Sequence, residues 1–113
     1  MKITDHQVIG YERVVEAIDD SGFRAIVAIH NTNLGVALGG CRVKEYADRG
    51  EQLKDVLNLS KGMTYKAALA GLSLGGGKAT INAPVADPLT LTKFALVMDY
   101  ICLLYTSPSP RDS

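Results

Sequence analysis

The sequence is poor in most of the features that announce a function. Twelve Lys and Arg balance twelve Asp and Glu, leaving no net charge. The positive field that draws proteins to nucleic acid is therefore absent, and nucleic acid is not an expected partner. Cysteine is scarce: Cys41 and Cys102 stand too far apart for a zinc-ligand pair or a CxxC redox motif, and both are expected as free, packed thiols. His6 and His30 lack a second histidine or a carboxylate at helical ligand spacing, so no metal site is expected. No run of about 18 apolar residues occurs, which argues against a membrane-spanning helix, and Met1 to Asp5 lack the basic start and apolar core of a secretory signal. A cytoplasmic protein is the expectation.

What is present suits an ordinary folded domain. The 113 residues have room for one domain with one hydrophobic core. Apolar residues make up 47% and charged residues 21%, which argues against disorder or a fibrous architecture.

Along the chain, Glu12 to Ile18 and Phe23 to His30 are β-branched, apolar runs separated by Asp19-Asp20-Ser21-Gly22, a turn composition; together they predict a hairpin. The second run is apolar on both faces, as in a central strand covered on both sides. Val36 to Val43 predicts a third strand, weakened by Gly39-Gly40. Leu53, Val56, Leu57, Ser60, Met63, Ala67 and Ala68 recur at helical spacing from about Glu51, with Gly71 placed to end the helix. Gly75-Gly76-Gly77 follows, and Lys78 to Asn82 predicts a short strand, giving the strand, helix, strand order of a layered α/β domain. Asp87-Pro88 then supplies an N-cap and a first-turn proline for a second helix, with an apolar stripe of Leu91, Phe94, Ala95, Met98 and Ile101.

The composition shifts to Ser, Pro and charge over Thr106 to Ser113, which predicts a loose tail. With the residues before it, this stretch resembles translated cloning or sequencing adaptor. The expected organisation is one incomplete domain over residues 1–102 and a disordered, non-native segment over 103–113, with the native sequence continuing differently after about Ile101.

Two lysines sit in small, apolar, glycine-rich surroundings: Lys66 in MTYKAALAG and Lys78 in LGGGKAT. Lys66 read alone is a helix lysine whose stem lies on the core while its head reaches water. Lys78 follows three glycines, which remove side chains, expose backbone N–H groups and make room for a small ligand against the main chain. Desolvation and a second nearby cation would favour the neutral amine at Lys78, the form that serves as a general base near neutral pH. The run GLSLGGGKA is not a phosphate-binding P-loop, because Leu72 replaces the first glycine and Ala79 cannot supply the metal-binding hydroxyl. It is not a dinucleotide fingerprint either, since Thr80 stands where the last glycine of GxGxxG belongs.

The strings FRAIVAIHNTNLGVALGGCR and LNLSKGMTYKAALAGLSLGGGKATI, in that order and spacing, resemble the substrate domain of the glutamate/leucine/phenylalanine/valine dehydrogenases over roughly Tyr11 to Tyr100. Cys41, where related enzymes often carry threonine, is a small departure. The resemblance implies an α/β fold, a mixed β-sheet with flanking helices, here truncated. It implies reversible oxidative deamination of an L-amino acid to a 2-oxo acid and ammonia, with NAD or NADP as hydride carrier. Lys78 would be the catalytic lysine that activates water against the imine carbon. Lys66 would bind the substrate α-carboxylate, aided by the backbone at Gly40, and Met63, in the same motif, belongs to the substrate-binding set.

Glutamate-specific enzymes of the family carry a lysine just before the glycine pair, where this chain has Leu38. An apolar side chain cannot pair a second carboxylate, so the expected substrate is an apolar amino acid, leucine or valine before phenylalanine. The family's catalytic aspartate and its nucleotide-binding domain lie beyond this segment. The fragment alone is therefore expected to bind no cofactor and to show no dehydrogenase activity. A homo-oligomer is implied, with strand edges near the first hairpin as a contact surface. The alternative is a stand-alone dimerisation module without catalysis.

Overall fold

The computed structural model describes residues 1–31, 37–38, 41–71, 75–83 and 87–106, excepting the side chains of 37, 38, 67, 75, 99 and 101–106. The expected hairpin is present. β2 (Arg13–Ile18) and β3 (Arg24–Asn31) pair antiparallel, with Val15 opposite Val27. Their connection turns because the Asp19 carboxylate accepts the Ser21 N–H at 2.9 Å and Gly22 adopts φ 94°, a conformation costly for other residues. Beyond β2 lies β1 (Lys2–His6), antiparallel to it, an edge strand that the sequence reading did not assign.

On the other side of β3 runs β6 (Gly75–Asn82), antiparallel, with Ala28 opposite Lys78 and Ile26 opposite Thr80. β3 is thus internal and buried on both faces, as its double-sided apolar pattern requires. The expected third strand is present in two pieces, β4 (Ala37–Leu38) and β5 (Cys41–Lys44), both parallel to β6. They share one register, Leu38 beside Gly76 and Cys41 beside Ala79, so they extend one line along β6. The residues between them, Gly39 and Gly40, lie outside the described residues. The described sheet has six strands, antiparallel on one side of β6 and parallel on the other, and the expectation of a mixed sheet with flanking helices holds.

α1 (Arg49–Leu69) starts where the Asp48 carboxylate accepts the Glu51 N–H at 2.8 Å. It ends as predicted at Gly71, whose φ of 72° turns the chain after Ala70. α2 (Pro88–Thr106) is capped by Asp87, which accepts the Thr90 N–H at 2.8 Å. The helix runs through Leu103–Thr106, four residues past the expected boundary at 102; residues 107–113 of the expected tail lie outside the described residues.

The two helices bury opposite faces of the sheet. Period-two alternation places Val15, Ala17, Ala25, Val27, Ala79 and Ile81 in a core closed by Val97 of α2, and Val14, Ile26 and Ala28 in a second core closed by Val56 of α1. The expected α2 stripe needs correction: Leu91 and Ala95 are exposed, while Val97 is buried and Phe94 and Met98 are partly buried. With Leu, Ala or Val on every side of this helix, periodicity could not single out the inner face. On α1, Gln52 and Thr64 are buried although polar, whereas Ala68 is exposed.

Candidate functional site

Of the candidate site residues, those with described side chains, Met63, Lys66 and Lys78, lie on the α1 side of the sheet. Lys78 shares that face with its neighbours at two-residue spacing. Gly76 lies under Thr64 of α1, and the Thr80 hydroxyl and carbonyl accept from Gln52 Nε2, each at 3.2 Å. Lys78, half-buried, therefore emerges between the two places where helix and strand meet.

The glycine run differs from its expectation. Gly75-Gly76-Gly77 is part of β6 and does not precede it as an open loop. Gly77 pairs with Ile29, Gly76 with Asn31 and Leu38, and Gly75 with Ala37. Strands on both sides enlist this backbone in the ladder, so it is not a row of exposed N–H groups awaiting a ligand. Gly76 has a packing reason to be glycine. A Cβ there would fall well inside the contact distance of Thr64 Oγ1, Thr64 N and the Ser60 carbonyl.

Lys66 stands in the last turn of α1, where an ammonium meets the negative end of the helix dipole, and it is exposed. It falls roughly three turns past Asp55, on the same stripe of the helix. Asp55 reaches toward β5: its carboxylate lies 3.8 Å from Arg42 Nε and accepts the Tyr46 hydroxyl at 2.6 Å. Lys66 and the partly buried Met63, one turn before it, therefore look over the parallel edge of the sheet.

Lys78 lies on β6 between Gly76 and Ala79, the pairing partners of Leu38 and Cys41. Cys41, expected as a packed thiol, is instead exposed on the edge strand β5, where no further strand among the described residues covers it; partial desolvation pushes its thiol up, and the Lys78 charge acts in the opposite sense. Lys66, Lys78 and Met63 thus occupy one side of the sheet, Lys66 in solvent and Lys78 half-covered. Leu38 contributes backbone to β4, its side chain outside the described residues, and Gly40 lies outside them altogether.

Three polar residues of this region, Gln52, His30 and Thr64, were not among the candidate site residues read from the sequence. Gln52, fully buried, donates to the Arg24 carbonyl at 3.1 Å as well as to Thr80, and its Oε1 accepts from Arg24 Nε at 2.5 Å. His30 Nδ1 lies 2.8 Å from Thr64 Oγ1, with the Tyr11 and Tyr65 rings edge-on at 5.0 and 6.1 Å. The only signal was negative: Gln52 and Thr64 fall on the buried stripe, where an apolar residue is expected.

A cleft of about 360 Å³ between the β2–β3 turn and the start of α2, lined by Phe23, Tyr46, Asn82, Asp87 and Lys93, holds none of the candidate site residues. It lies at the Asn82 end of β6, roughly 13 Å along the strand from Lys78. Among the described residues no cluster of His, Cys, Asp or Glu could hold a metal ion, and no helix is long and apolar enough to cross a membrane. The glycine run does not form a dinucleotide-binding turn, since it lies within a strand ladder and does not lead into a helix.

Residues 7–105 match the family model described as the Glu/Leu/Phe/Val dehydrogenase dimerisation domain. The chain is 56% identical over 81 residues to a phenylalanine dehydrogenase of Bacillus thermotolerans, covering 71% of this chain and 20% of that protein. It is 55% identical over 80 residues to a valine dehydrogenase of Streptomyces virginiae (70% and 22%) and 53% identical over 79 residues to a leucine dehydrogenase of Geobacillus stearothermophilus (69% and 21%). It therefore spans about a fifth of the length of these relatives. Among solved structures it resembles the L-tryptophan dehydrogenase of Nostoc punctiforme, with TM-score 0.75 and 41% identity over 81% of this chain and 28% of that one.

Proposed function

The chain belongs to the Glu/Leu/Phe/Val dehydrogenase family, and from that premise we propose that it is the substrate-binding part of an enzyme that reversibly deaminates an apolar L-amino acid to its 2-oxo acid and ammonia. The observation that carries this reading is the placement of Lys66 and Lys78 on one side of the sheet, on two elements locked together by Gly76 and Thr80. The exposed ammonium of Lys66 pairs with the substrate α-carboxylate, and Gly40 lets that carboxylate approach the main chain. Lys78, half-covered by α1, takes a proton from the water that attacks the imine carbon. The hydride acceptor, NAD or NADP, belongs to a part of the protein outside this chain.

Leu38 supports an apolar substrate, because a second carboxylate beside it would be desolvated without a partner. The named relatives act on phenylalanine, valine and leucine, in line with that argument but without ranking the three. The match to a family model described as a dimerisation domain supports self-association. β1, at the end of the described sheet, pairs with β2 and supplies the edge to which a second copy would add. Metabolism of small amino acids fits a cytoplasmic setting.

The test is amino-acid-dependent reduction of NAD and NADP by the full-length protein that carries this segment. Leucine, valine or phenylalanine should exceed glutamate in kcat/KM by about a hundredfold or more, as expected when a site leaves a charge unpaired. Glutamate as the preferred substrate would defeat the proposal. The 113-residue chain alone should form no NADH.

A further inference from the structure

Building on the dehydrogenase reading, we propose that Thr64, hydrogen-bonded to His30 and seated on Gly76, is a positioning residue that sets where Lys66 stands relative to Lys78. A helix lying on a sheet can slide along its axis and roll about it. Each motion would carry Lys66 away from a carboxylate that must also present its α-carbon to Lys78. At the start of α1 these motions are stopped by Gln52, which bonds to Arg24 of β3 and Thr80 of β6. That anchor is more than three helical turns from Lys66, too far to fix the last turn.

Near Lys66 the restraint comes from Thr64. Gly76 lacks the Cβ that would hold the helix off the strand, so the backbone of Ser60 and Thr64 rests directly on β6. Close approach sets the height of the helix and leaves it able to slide. The hydrogen bond between Thr64 Oγ1 and His30 Nδ1, at 2.8 Å, is lateral and ties the helix to β3. His30 is itself held between the Tyr11 and Tyr65 rings, and the Tyr11 hydroxyl donates to the Leu57 carbonyl at 2.8 Å, so the anchor has a fixed footing. Thr64 is buried, and Lys66 follows two residues later, before the helix ends at Leu69. Thr64 is the last cross-element hydrogen bond before Lys66 among those described. Its loss would let the carboxylate-binding lysine drift while Lys78 stays in the ladder of β6.

The experiment is steady-state kinetics on the full-length protein with Thr64→Val, which keeps shape and removes the hydroxyl, and Thr64→Ser, which restores it. Thr64→Val should raise KM for the amino acid about tenfold with kcat within about threefold of the parent, a split that marks lost ground-state binding. KM for the nucleotide should not move, and Thr64→Ser should return the amino-acid KM to near the parent value. Should Thr64→Val fail to fold, His30→Leu removes the same bond from the other side and is read in the same way. An amino-acid KM unmoved by the loss of this bond, or no rescue by serine, overturns the positioning role. Lys78→Ala separates the two levels. If it retains parental turnover, the dehydrogenase reading falls; if it is inactive while the amino-acid KM of Thr64→Val is unmoved, positioning by Thr64 alone falls.

Discussion

On the side of the sheet that meets α2, Val15, Ala17, Phe23, Ala25, Val27, Ile29, Ala79, Ile81 and Val97 form an apolar core. On the side that meets α1, the same strands add Glu16, His30, Lys78 and Thr80 to a smaller apolar cluster of Val14, Ile26, Ala28 and Val56, and the helix answers with Arg49, Gln52, Ser60 and Thr64. Apolar packing is non-directional: it rewards burial and tolerates small shifts. Hydrogen bonds and a Cβ-less contact admit one register. The difference teaches why the candidate lysines belong to the second face. A helix held by shape alone has several nearly equivalent seats, whereas one stitched by Gln52 and Thr64 returns its last turn to one place.

The comparison breaks most sharply if removing volume from the apolar face proves harmless. Ile81 is fully buried between β3 and α2, and Ile81→Ala should destabilise the chain by about 3–4 kcal/mol, the cost of lost transfer energy plus a cavity. Ile81→Val should cost about 1 kcal/mol, because the site keeps most of its shape. Urea denaturation of the 113-residue chain measures both. A loss for alanine no larger than that for valine would mean the α2 face is already loose.

The polar face answers to a different substitution. Gln52→Met preserves volume and apolar contact but leaves Arg24 Nε and the Thr80 groups without their partner, at a cost of about 2 kcal/mol. If methionine proves neutral, the stitching contributes nothing and the two faces differ in composition alone. The same residue shows where legibility ended. The hairpin, the Asp87-Pro88 start of α2 and the Gly71 end of α1 were readable because turns and caps are local chemistry. The lysine motif was readable because its residue order is distinctive. Gln52 and Thr64 were not, since their value lies in partners such as Thr80 and His30, distant in sequence. The glycine run was misread for a related reason: that Gly75-Gly76-Gly77 belongs to a strand follows from Ala37 and Leu38 pairing beside it. β1 was missed because Lys2, Thr4 and Asp5 make an edge strand look like a polar terminus.

The smallest effect separates the faces by pH. His30, on the α1 face, is held below its ordinary value of 6.5 by burial and by the Lys61 charge, partly countered by Glu12. Burial alone would raise Glu16, on the same face, but its hydrogen bonds to Arg49 at 2.7 Å and His6 at 2.9 Å outweigh it and leave the carboxyl below 4.5. Both groups bind protons more weakly in the folded chain than in the unfolded one. Each contribution is therefore complete above the unfolded value and lost as pH falls through the folded one. Stability should decline in two limbs, the first below pH 6.5 from His30 and the second below 4.5 from Glu16, joined at lower pH by Asp5, which its Arg13 hydrogen bond holds below 3.8. Urea midpoints at about pH 7.5, 5.5 and 3.5 resolve the limbs. His30→Asn, which cannot titrate but can still hydrogen-bond Thr64, should flatten the first limb and leave the second. An equal decline in parent and variant between the two higher pH values would remove His30 from the account and, with it, the claim that the α1 face is where this fold responds to protons above the carboxylate range.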